Sequence, residues 1–198
     1  MGELTEQTSG RTVCRFPVKI VLSIILIFFA IGLRAADETA VYRVVGLSHI
    51  EREEDFRKTV AEVPELSLVS LDFGKAEATL RFDPAKIVPN TKPDQTVPPE
   101  KVLEQIDKLI RQVSTGTFNI TARAVGGASL TKLEIPIGVL DCKGCRYGAY
   151  LAVAKIEGVD RASVSDGSVL TAWIDSQKTN REALVEALKK ARVEIPEN

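Results

Sequence analysis

A chain of 198 residues is long enough for one ordinary domain or two small ones. Its 44% hydrophobic and 27% charged residues are those of an ordinary globular protein. A net charge of −1 gives no basic footprint for nucleic acid, so a nucleic-acid partner is excluded.

The start of the chain is uneven. Arg11, Arg15 and Lys19 lead into an uncharged apolar run over residues 20–33, with small residues at Ala30, Gly32, Ala35 and Ala36. That run is short for a bilayer span and suits the apolar region of a secretory signal peptide, cleaved near Gly32 or Ala35. The alternative is an uncleaved N-terminal anchor, and then the membrane is met only through this segment. Either way residues 1–36 predict export to a periplasmic or other extracytoplasmic space. Cys14 precedes the run and is lost on cleavage. Two cysteines then remain, in a compartment that permits dithiol, disulfide or metal-bound forms.

Residues 40–125 read as short strands alternating with helices. Residues 42–45 form a strand and 46–49 a loop, followed by a charged helix with Phe56, Val60 and Val63 on its apolar face. Pro64 stops it. Residues 66–71 and 76–82 are two strands about a turn at Phe73, Gly74 and Lys75, and the proline-rich stretch 83–99 is an irregular loop. Pro99 opens a helix carrying Val102, Leu103, Ile106, Leu109 and Ile110, and 117–122 is the closing strand.

Residues 130–198 repeat this order. A strand over 130–139 leads through a loop into a helix with Ala149, Val153 and Ile156 on one face, at a constant offset from Phe56, Val60 and Val63. Residues 162–165 and 169–174 make a hairpin about Asp166-Gly167. Thr179 or Asn180 caps a last helix with Leu184, Val185 and Leu188, and 192–195 is the final strand. Both units read β-α-β-β-α-β, so the fold class is α+β with two tandem ferredoxin-like units joined at residues 126–129. Pro136 lies in what should be a central strand, which calls for a bulge or an early strand end.

Cys142 and Cys145 form the single Cys-x-x-Cys pair, at the turn from strand to helix. Soft thiolates select soft ions, and a helix N-terminus favours thiolate over thiol. The run Ile137-x-x-Leu140-x-Cys142-x-Gly144-Cys145, with Val153 beyond it, resembles the heavy-metal-associated domain. That family includes copper chaperones and the exported mercuric-ion binding protein. The resemblance is clear over 130–198, and over 41–124 it is a degenerate copy in element order and spacing. It implies a non-catalytic protein that binds a soft ion through Cys142 and Cys145: Cu(I) first, Hg(II) or Zn(II) as alternatives. The partner implied is a metal-transporting or metal-accepting protein. Lys143, Lys190 and Arg192 are placed to offset the charge of a dithiolate complex. Asp141, Ala149 and the pair Ala191-Arg192 depart from the family's usual residues.

His49 and Arg52 stand where the second unit has its cysteines. His49 is expected to be a solvated loop histidine, and the first unit to bind no metal. Strand parity places Leu170, Ala172 and Ile174 in the core, with Val169 and Trp173 on the open face. Tyr147, Tyr150 and Leu151 fall off the core face of the cysteine helix, where they dock a partner, dock the first unit, or are covered by neighbours. The charge runs 51–55 and Lys189-Lys190 are expected to be solvated helix faces. No Ser/His/Asp arrangement, phosphate loop or carboxylate pair is present, so no catalytic role is expected. Two rival readings stand beside metal binding: an interaction module that kept the fold without the ion, and thiol–disulfide exchange.

Overall fold

In the computed structural model, residues 37–92, 95–123 and 129–196 are described. The signal or anchor segment and most of the 126–129 hinge lie outside them.

The first half starts with β1 (Glu38–Val45), whose alternation turns Tyr42 and Val44 inward and leaves Val41 and Arg43 on the other face. Helix α1 (Arg52–Ala61) buries Phe56 and Val60 on one stripe. Strands β2 (Leu66–Asp72) and β3 (Glu77–Phe82) form a hairpin whose turn is tied by Lys75 N–H donating to Asp72 Oδ1 at 3.0 Å. A short helix α2 (Pro84–Ile87) interrupts the stretch expected to be irregular. Asp83 caps it by accepting from Ala85 N–H, and Pro84 stands at its first position, where no N–H is needed. Helix α3 (Pro99–Val113) buries Val102, Ile106 and Ile110, and β4 (Asn119–Ala122) closes the half. The strand order β2-β3-β1-β4 is antiparallel throughout and is that of a ferredoxin-like sheet. Phe56 and Phe118 meet edge to face at 5.3 Å inside this core.

The second half runs β5 (Leu130–Pro136), α4 (Lys143–Ala154), β6 (Val159–Val164), β7 (Val169–Asp175) and α5 (Arg181–Lys190). Its sheet has the order β5-β7-β6, so the first three strands of the repeat are reproduced. Leu170, Ala172 and Ile174 are buried as parity requires, against Val153, Leu184 and Leu188 from the two helices. Asn180, not Thr179, caps α5, accepting from Ala183 N–H at 3.0 Å.

The expected last strand is absent, for a physical reason. Ile137 N–H donates to Ser168 O, toward β7, so alternation turns the nitrogen of residue 136 toward the opposite edge. Proline has no N–H to offer there. Only Gly138 N–H reaches across, to Glu194 O at 2.8 Å. Residues 193–195 are confined between a helix-closing turn and Pro196, which leaves one ladder bond in place of a strand. The conflict at Pro136 is thereby resolved: β5 ends at that residue and forms one edge of the sheet. Gly138 is required at this crossing, since a Cβ there would lie 2.9 Å from Glu194 Cβ.

Both halves belong to one compact unit. Their junction follows the free edge of β6. Val164 N–H donates to Ser48 O at 2.7 Å, and Arg161 Nε donates to Gly74 O at 2.7 Å. No helix among the described residues is long and apolar enough to cross a membrane.

Candidate metal centre

The site is built on the N-terminus of α4. Cys142 is the N-cap, extended at φ −111° and ψ 146°, and its Sγ accepts from Cys145 N–H at 2.9 Å. One otherwise unpaired helix-end N–H is thus satisfied by sulfur where serine or aspartate is usual. The Cα atoms of Cys142 and Cys145 lie 5.1 Å apart, and the two residues are joined as a disulfide. Residues 141–145 are all exposed, and Val139 just before them is 77% exposed. The pair is therefore open to a reductant, an ion or another protein's thiols. Reduced, the two sulfurs would remain on one helical turn, close enough to hold one soft cation between them.

The three expected auxiliary charges are disposed differently from one another. Lys143 does stand between the cysteines, but its Nζ turns to the first half, 3.8 Å from Glu51 Oε2 and 3.8 Å from Asp55 Oδ2. Lys190, in the last turn of α5, pairs with Glu186 at 2.7 Å. Arg192 takes a left-handed backbone conformation, φ 61°, just past that helix. The bond between Gly138 and Glu194 brings this turn to the end of β5 that feeds the cysteine loop.

His49 is not solvated. It is 4% exposed, with Nε2 2.9 Å from Asp166 Oδ1 and Nδ1 accepting from Glu51 N–H at 3.3 Å. The sequence expectation failed because the covering residue, Asp166, belongs to the β6–β7 turn of the other half. Arg52 likewise packs across the junction, its guanidinium 5.5 Å from the centre of the Tyr147 ring. The loop that corresponds to the cysteine loop thus serves as a contact between halves.

The tyrosines of α4 form the other side of that contact. Tyr150 is 4% exposed, and its hydroxyl accepts from Gly46 N–H at 2.8 Å. Tyr147 donates to Thr117 O at 3.1 Å and lies nearly parallel to Tyr150. Burial raises the pKa of both phenols. Of the three fates open to these rings, docking on the first half is the one realised. Trp173 is half-buried, with the Arg161 guanidinium 4.2 Å from its ring centre.

Sequence reasoning missed Glu51, Asp55 and Arg146. Arg146 Nη1 donates to Leu140 O at 3.3 Å, and Nη2 lies 3.1 Å from Glu51 Oε2. The signal available was charge complementarity between equivalent helix starts, acidic in α1 and basic in α4.

The chain matches no family model and no curated protein sequence. Among solved structures it is similar to the water-soluble region of the P-type ATPase CopA from Bacillus subtilis, at 17% identity and a TM-score of 0.31, over 82% of this chain and 91% of that one. It is also similar to the N-terminal soluble domains of Bacillus subtilis CopA, at 16% identity and a TM-score of 0.32, over 82% and 95%. Likeness at that level says nothing about shared chemistry.

Proposed function

We propose that the reduced chain binds one soft metal ion through Cys142 and Cys145 and passes it to a partner by thiolate exchange, without catalysis. One observation carries this reading: two exposed sulfurs are brought together on the first turn of α4, with a backbone N–H already directed at one of them. Two thiolates alone suit Cu(I), with Hg(II) next. Zn(II) normally takes four ligands and ranks last. Export belongs to the same proposal. It rests on the apolar run over residues 20–33 and would place the pair where a disulfide persists until it is reduced.

The test uses the full chain, reduced and anaerobic, titrated with Cu(I) against a competing chelator beside Cys142→Ser. Binding is expected in the wild type and lost in the variant. If the two curves coincide for Cu(I), Hg(II) and Zn(II), the metal reading fails. Thiol–disulfide exchange is the second reading, favoured by the closed Cys142–Cys145 disulfide. A reduction potential well above that of a structural disulfide, together with disulfide-reductase activity, would select it.

A further inference from the structure

Glu51 and Asp55 lie far from the cysteine loop in sequence, yet both reach its first turn. Glu51 Oε2 is 3.1 Å from Arg146 Nη2 and 3.8 Å from Lys143 Nζ, and Asp55 Oδ2 is 3.8 Å from the same ammonium. Lys143 stands between the cysteines, and Arg146 directly follows the second. These are the two cations closest in sequence to the sulfurs, and both are matched by carboxylates of the other half. Arg146 is the fixed member of this arrangement. Arg146 is only 11% exposed, and its second arm is fixed on Leu140 O, at the entry to the loop. Glu51 in turn donates its backbone N–H to His49, which is buried at the junction.

We infer that Glu51, with Asp55 behind it, is the counter-charge of the cysteine loop: it offsets part of the charge of Lys143 and Arg146 and so weakens the hold of the reduced pair on a soft cation. The inference deepens the metal-binding reading and rests on it for that arm. Two thiolates around one monovalent cation carry a net negative charge, which an unmatched ammonium and guanidinium would stabilise. Glu51 Oε2, shared by both cations at 3–4 Å, offsets part of that field, and Asp55 Oδ2, held 3.1 Å from Arg52 Nη1, adds a weaker contribution. The first half thus acts as a positioning element for the second, through charge and not through a ligand. Its own helix start supplies the acidic residues where the second half has basic ones.

The direction of the effect separates this role from a merely structural one. If Glu51 only braces the loop, its removal loosens the site and weakens binding. If it is a counter-charge, its removal tightens binding. In the full chain, Glu51→Gln and the double variant with Asp55→Asn are expected to raise Cu(I) affinity by roughly two- to fivefold, the range open to exposed ion pairs. At about pH 9, above the ordinary thiol pKa, a glutathione redox buffer should show the disulfide–dithiol equilibrium shifted toward dithiol by a similar factor. Both gains should shrink in about 0.5 M salt. Glu51→Asp, which keeps the charge, should stay near wild type. Unchanged or weakened binding, or an unmoved glutathione equilibrium, overturns the proposal. Should the wild type bind no Cu(I), the metal reading alone fails, and the glutathione arm still decides the role of Glu51.

Discussion

Arg192 shows how a single residue reports on its surroundings. It is the first residue past the cap of α5, and the turn is a complete Schellman closure. Val193 N–H donates to Leu188 O at 3.0 Å and Arg192 N–H to Lys189 O at 2.9 Å. That position favours glycine, because a side chain in the left-handed region crowds its own carbonyl. The first half repeats the device: Thr115, at φ 50°, closes α3 with Gly116 N–H bonded to Arg111 O. Arg192→Gly relieves the strain but loosens the unfolded chain, and a net gain of roughly 0.5–1 kcal/mol is expected. Urea unfolding measures it, and an unchanged or lower midpoint would show that the arginine is held by contacts worth more than the strain. Neither position was legible beforehand, since the sequence marks helix ends by glycine and here offers arginine and threonine instead.

The helix α4 ties site and scaffold together. One end carries the cysteines, and one flank carries Tyr147 and Tyr150 across to the first half. Gly46 can meet Tyr150 so closely because it lies at φ 110°, with Thr117 O against the position a Cβ would fill. Tyr150→Phe keeps the ring and removes the acceptor, leaving a buried N–H unpaired. The expected cost is about 1–3 kcal/mol in equilibrium unfolding. A change within about 0.5 kcal/mol, the ordinary range for surface positions, would mean that another acceptor takes the bond. Most of the element order, the helix faces and the strand parity were readable, because periodicity is local. Phe56, Val60, Leu170 and Ile174 are buried where the pattern puts them. The missing last strand was not readable, because it depends on which edge the nitrogen of Pro136 faces. His49 escaped for a similar reason, its cover coming from 117 residues away.

At the level of the whole molecule, the two cores are joined along a seam lined with aromatic and charged side chains. The chain has three tyrosines, and all three have raised pKa values. Tyr42 is pushed up to about 12, by burial first and then by the nearby Glu38 carboxylate. Unfolded, each would ionise near 10. Above that value the folded state holds more protons than the unfolded one, so stability present below pH 10 is lost as pH climbs from about 10 toward about 12. Tyrosinate absorbance should therefore lag the ordinary curve and then rise together with loss of far-ultraviolet ellipticity. Ionisation midpoints near 10 in a chain that stays folded would contradict the burial argument. The cysteine pair itself was legible from spacing alone, whereas its carboxylate neighbours were not, since ion pairs across a seam leave no periodic trace. The seam also has a consequence for loading. Among the described residues the first repeat's loop is closed in by Tyr150 and Asp166, and Cys142 and Cys145 of the second repeat stand exposed. Under the proposed function the chain's titration would be a plain hyperbola of unit stoichiometry, and response to ion concentration would be graded, with no threshold.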